Sequence, residues 1–92
     1  MTHTIRDKDK LLNRVRRLRG QLNAIEKALI EERDPAGILH TIAACRGAID
    51  GLMAQVMEGH IRGHVLDDQR NATAEQAQAA EELIAALKTY LK

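Results

Sequence analysis

Two apolar ladders of identical spacing constrain this chain more than any other feature. Leu11, Val15, Leu18, Leu22, Ile25 and Leu29 are separated by 4-3-4-3-4 residues, and so are Ile38, Ile42, Cys45, Ile49, Leu52 and Val56. That spacing keeps one stripe of a helix facing a partner for nearly three heptads. Between the ladders stands "RDPAG". A residue before proline avoids the helical region, so Asp34 is the break and an N-cap, and Pro35 fits the first position of a new helix. The spacing predicts helix 1 from about Thr4, with Thr4 and Asp7 as a variant capping box, to Glu32. It predicts helix 2 from Pro35 to about Val65, roughly 45 Å long at ~1.5 Å per residue. "LDDQRNA" reads as a polar connector. Thr73 and Gln76 then form a capping box that opens a third helix over 73–91, with Ala80, Leu83, Leu87 and Leu91 as its apolar stripe.

No strand pattern is present, so the reading is all-α: a single domain over 1–92, built as a long two-helix hairpin plus a shorter helix. Ninety-two residues with neither Phe nor Trp make a marginal core. A two-helix hairpin cannot enclose its own seam, whereas pairing two hairpins into an antiparallel four-helix bundle does. Ala44, Gly47, Ala48 and Gly51 keep helix 2 slender despite a cost of ~1 kcal/mol per glycine, which predicts a close helix crossing, with the dimer mate, near 47–51.

The net charge of +1 conceals an asymmetry: +5 over the first twenty residues and −4 over the remaining seventy-two. Arg14, Arg16, Arg17 and Arg19, with Lys8 and Lys10, lie off the seam of helix 1 and are candidates for contact with a polyanion. The alternative is a solvated basic face. A single cysteine, Cys45, excludes an intrachain disulfide and suits a reducing cytoplasm; its place on the seam makes it a small core residue. The polar opening "MTHTIRDKDK" is unlike a secretion leader, and no apolar run reaches the ~18–20 residues of a membrane span. A cytoplasmic protein without a membrane partner is expected. Nothing supports catalysis: there is no phosphate-cradling glycine loop, no HExxH and no nucleophile triad, so the chain reads as a non-enzyme without an organic cofactor.

"EGHIRGH" puts His60 and His64 one turn apart on one helix face, continuing a stripe from Met53 and Met57. Two imidazoles at i, i+4 are half a metal site, and most metals require further ligands. They are equally consistent with surface histidines. His3 lies beside the N-terminal amine, and the pair could chelate a divalent ion. His40, ~30 Å along helix 2 from His60, is assigned to packing.

"RVRRLRGQLNAIEKAL" (14–29), "ILHTIAACRGAIDGLMAQVMEGHI" (38–61) and the closing "YLK" resemble, over essentially the whole chain, the CsoR/RcnR/FrmR family of small helical metal- and formaldehyde-responsive repressors. "HTIRDKDKL" and "GHIRGH" are most similar to its nickel/cobalt branch. The resemblance implies a three-helix protomer, a dimeric four-helix bundle and usually a tetramer. It implies a repressor without a helix-turn-helix that lays basic surface on double-stranded operator DNA and is released by an effector. Arg14, Arg16, Arg17 and Arg19 are the implied DNA contacts, with Lys8 and Lys10 beside them. The implied effector site lies between subunits, and His60, His64 and His3 match its histidines. Where the family places a cysteine, this chain has Pro35. Cys45, ten residues on, is ~15 Å away along the helix. Without that thiolate, Cu(I) and formaldehyde are disfavoured. His60, His64 and His3, with an amine or Asp34, suit nickel or cobalt, and zinc is possible. Glu82 matches an acidic position near the site in some relatives, against a solvated helix face. Two alternatives stay open: a repressor whose sensing is lost or changed, and a helical interaction or metal-buffering protein that does not bind DNA.

Overall fold

A computed structural model describes residues 7–63 and 73–91. Three helices, α1 (Lys8–Ile30), α2 (Pro35–Ile61) and α3 (Ala74–Tyr90), follow one another, and there is no strand among the described residues. α1 and α2 form the hairpin, and α3 packs against α2. The protomer measures 56 × 25 × 12 Å. Its thinnest dimension is little more than one helix layer, too thin to cover a long apolar seam from all sides.

The helix ends follow from local chemistry. α1 starts at Lys8, later than the expected Thr4, because Asp7 takes a left-handed conformation (φ 57°) that a helix interior does not accommodate. Thr4 lies outside the described residues. At the other end α1 stops at Ile30 in a Schellman motif: the Arg33 N–H donates to the Ala28 carbonyl at 2.9 Å and the Glu32 N–H to Leu29 at 3.1 Å. Glu32 occupies the left-handed position (φ 53°) that glycine usually fills. Asp34 then stands at the N-cap of α2 with Pro35 behind it, but its side chain makes no capping bond. Its carbonyl instead accepts from Gly37 and Ile38, at 3.1 and 3.3 Å. The α-helical part of α2 ends at Ile61, and Arg62 and Gly63 continue it as a π-helical turn; the expected end at Val65 lies among residues 64–72, outside the described residues. The Thr73–Gln76 capping box is present in both directions, at 2.9 and 3.1 Å.

The protomer buries few side chains: Cys45, Ala54, Ala80 and Ile84 among the described residues. Cys45 is a core residue, as its place on the seam implies, with its thiol 3.8 Å from Gln21 Oε1. α1 buries none of its seam fully, and Leu22, Leu29, Ile42, Ile49 and Val56 stay exposed. Met53 and Met57, expected to be buried beside the histidine stripe, are also exposed in the protomer. The α3 stripe needs a correction. Ile84, 3% exposed, is the buried residue, whereas Leu83 is 53% exposed. Both 80-83-87 and 80-84-87 satisfy helical spacing, but at about 100° per residue Ile84 lies nearer the centre of the face shared by Ala80, Leu87 and Leu91.

Candidate nucleic-acid interface and effector end

One cleft of about 610 Å³ opens where all three helices meet. α1 contributes Lys10, Arg14 and Arg17; α2 contributes Gln55, Glu58 and Arg62; α3 contributes Lys88. Lys10, Arg14 and Arg17 recur at i, i+4 and i+7, so they share one face just to the side of the apolar seam. Arg14 is half-buried, and Lys10 and Arg17 are exposed. None of the three has a hydrogen bond or ion pair among the described residues. These are cations without a counter-ion among the described residues, and they line a concave surface.

The basic residues of α1 do not act as one block. Arg16 does not line the cleft; it donates, at 3.4 Å, to Oδ1 of Asn13, which does. Arg19 and Lys8 fall on the opposite side of the helix, roughly 160–180° from Lys10 by phase. Of the six candidates, the structure gathers Lys10, Arg14 and Arg17.

Gly51 explains how Arg14 reaches the cleft. A Cβ at Gly51 would stand 2.7 Å from Arg14 Nη1, so the guanidinium crosses α2 where that helix has no side chain. Gly47 has nothing within 4 Å of its Cβ position. At Gly51 the missing side chain thus makes room for Arg14, while Gly47 leaves that stretch of α2 open. Gly51→Ala is expected to push the flexible Arg14 head aside. It should raise thermal stability, by up to ~1 kcal/mol of helix propensity, while weakening affinity for a DNA duplex. Denaturation and fluorescence anisotropy on the same variant check both halves.

The opposite wall carries an ion network. Arg62 donates to Glu58 Oε2 at 3.0 Å and pairs in bidentate fashion with Glu81, at 2.8 and 3.2 Å. Lys88 Nζ lies 3.2 Å from the other Glu58 oxygen. The network ties α3 to the last turns of α2. Burial disfavours the Glu58 charge, but hydrogen bonds and the charges of Arg62 and Lys88 outweigh it and hold its carboxyl below the ordinary value. The hydrogen bond to Glu81, then that to Glu58, raises the Arg62 guanidinium above its usual range. The Gln55 Oε1 atom is buried in this region without a partner among the described residues.

Glu58 and Arg62 carried an i, i+4 signal in the sequence. Glu81 carried none, since only the docking of α3 brings it to Arg62. Its neighbour Glu82, the acidic residue singled out from the sequence, accepts from Gln78 at 3.4 Å on the exposed surface of α3.

His60 sits on the last turn of α2, exposed, two residues beyond Glu58. His64 and His3 lie outside the described residues. Among the described residues no three His, Cys, Asp or Glu side chains converge to hold a metal ion. Asp34 is at the far end of α2, about 40 Å from His60 at ~1.5 Å per residue. One protomer cannot join them, so a shared site requires a second chain. The donor chemistry nonetheless fits a borderline divalent ion: an exposed imidazole at the helix end, with Cys45, buried in the seam, out of reach as a thiolate.

Known proteins agree with this geometry. The profile of the metal-sensitive transcriptional repressor family matches residues 7–89. A protein of the bioA 5′ region of Serratia marcescens is 48% identical over 93 residues, and the transcriptional repressor RcnR of Salmonella typhimurium 39% over 92, each covering both chains in full. A variant of the formaldehyde-responsive regulator FrmR from Salmonella enterica serovar Typhimurium superposes with a TM-score of 0.65 at 37% identity, covering 94% of each chain. No helix among the described residues is long and apolar enough to cross a membrane. With the three-helix hairpin architecture, its basic cleft and these matches in hand, the chain belongs to the CsoR/RcnR family of metal-sensitive transcriptional repressors, and is a repressor rather than an enzyme.

Proposed function

We propose that this repressor seats the phosphate backbone of a double-stranded operator in the cleft of Lys10, Arg14 and Arg17, and that a divalent metal at the His60 end of α2 lowers its grip. The observation that carries the reading is the convergence of three cations, unpaired among the described residues, in one cleft that also includes the last turns of α2, the segment bearing His60. Arg16, outside the cleft beside Asn13, supplies a further phosphate contact, and Lys8 and Arg19 reach DNA only from the other side of α1. Phosphate contact gives sequence-independent, salt-dependent affinity.

Two hairpins pair in antiparallel fashion and cover the exposed halves of both seams. The resulting four-helix bundle, doubled as a dimer of dimers in the cytoplasm, spreads several clefts along one operator. Antiparallel pairing also brings Asp34 and Pro35 of one chain to His60 of the other. The ligand set is then His60, His64 and His3, completed by the N-terminal amine or Asp34, with Glu82 supporting it from outside. The bound metal supplies a charge and a fixed geometry at the end of α2. Imidazole and oxygen donors favour nickel or cobalt, with zinc next. The resemblance of "HTIRDKDKL" and "GHIRGH" to the nickel/cobalt branch supports this choice, and the formaldehyde-responsive FrmR neighbour offers formaldehyde as the other effector. Proline at 35 speaks against that one, because a thiol is the nucleophile that the family places there.

Fluorescence anisotropy of a promoter duplex, titrated separately with nickel, cobalt and zinc, tests the reading. At least one metal is expected to weaken binding tenfold or more, and His60→Ala to abolish that response while leaving metal-free DNA affinity intact. If all three metals leave affinity unchanged, metal relief is wrong. A second reading, a repressor with altered sensing, rests on Pro35, and unchanged metal affinity after His60→Ala favours it.

A further inference from the structure

The cleft contains a contradiction for a phosphate-binding surface. Two of its cations, Arg62 and Lys88, are already neutralised by a carboxylate of the same chain. Glu58 is only 24% exposed, so solvent screens its charge less than that of a surface acid. It faces the same concavity as Lys10, Arg14 and Arg17.

We propose that Glu58 is a built-in competitor of DNA phosphate, holding Lys88 of α3 in reserve and setting operator affinity below what the cleft's cations would otherwise give. The proposal rests on the DNA-contact reading of the cleft and adds a contact surface on α3. The two cations are held differently. Arg62 is fixed by Glu58 and by both oxygens of Glu81, so it stays with α3 as a structural clasp. Lys88 has one ion-pair partner among the described residues, Glu58 at 3.2 Å, and its side chain is 57% exposed on a long flexible stem. It is the cation that a phosphate can capture. A phosphate entering the cleft is repelled by Glu58 and must share or displace its hold on Lys88. Neutralising Glu58 removes the repulsion and frees one cation, while the Arg62–Glu81 pair keeps α3 docked.

The test is anisotropy with the full chain and a promoter duplex at four or more salt concentrations. Glu58→Gln is expected to bind three- to tenfold tighter and to steepen the salt dependence, by about 0.9 in log–log slope for each Lys88 that gains a phosphate. Lys88→Ala in that background is expected to remove the added slope. Glu58→Ala repeats the measurement without the amide, and circular dichroism on each variant reports the helices. Binding by Glu58→Gln and Glu58→Ala that is no tighter than wild type overturns the proposal, as does an added salt slope that survives Lys88→Ala. The parent reading fails separately: if Arg14→Ala with Arg17→Ala leaves binding intact, the cleft is not the DNA surface and the inference falls with it. If that double variant loses binding while Glu58→Gln changes nothing, the cleft stands and only the competition is refuted.

Discussion

Replacing Arg14 and Arg17 together with alanine is expected to weaken operator binding by on the order of a hundredfold at 0.1 M salt, and to leave the fold intact. Both guanidinium groups face the cleft and neither is engaged by another described residue, so their loss removes charge without removing a structural bond. Each phosphate contact contributes about 0.9 to the salt slope, so the double variant should lose roughly two units for each protomer seated on the duplex. Alanine is the best helix former, so α1 should not fray. Arg19→Ala, on the far side of α1, is the control and should change affinity no more than a few-fold. Anisotropy across a salt series separates the two faces. Equal losses from both variants would mean that DNA wraps α1 rather than entering the cleft.

The second large effect is on stability. Ile84→Ala is expected to cost about 2–4 kcal/mol, measured by urea denaturation at fixed protein concentration. Ile84 is the most buried side chain of α3, at 3% exposure. The other buried side chains among the described residues are Cys45, Ala54 and Ala80, all small. Few other atoms hold α3 to α2, and the surface ion pairs that assist them contribute roughly 0–1 kcal/mol each. Small domains have about 5–15 kcal/mol of total stability, so this one truncation removes a large share of it and should loosen the docking of α3. Leu83→Ala, one position earlier and 53% exposed in the protomer, should cost clearly less. The contrast decides between the stripe that includes Ile84 and the one read from spacing alone.

Much of this architecture was legible in the residues themselves. The 4-3-4-3-4 ladders, Asp34–Pro35 and the Thr73–Gln76 box are local signals, and each has its counterpart in the helices and caps. The family resemblance was equally legible, because it rests on long runs in order. Other features were not. Asp7 and Glu32 adopt left-handed backbones that no residue-type rule assigns to them. The α3 stripe was ambiguous because two spacings fit one helix. Glu81 went unmarked because whether it or its neighbour Glu82 meets Arg62 depends on how α3 is rotated against α2. Gly51 looked like room for another chain, and within the protomer that room is occupied by Arg14.

The division has one physical cause. Sequence by itself determined what depends on neighbours within about four residues: helical periodicity, breaks, caps and the clustering of basic charge near the N-terminal end. It also fixed the chemistry available, which is imidazoles without a well-placed thiol. Tertiary structure alone decided which of those charges face one another. Lys10, Arg14 and Arg17 became a cleft, and Arg19 did not, because the hairpin selects one side of α1. Glu58, Arg62, Glu81 and Lys88 became a network because packing α3 on α2 brings residues nineteen and thirty positions apart to within 3.2 Å.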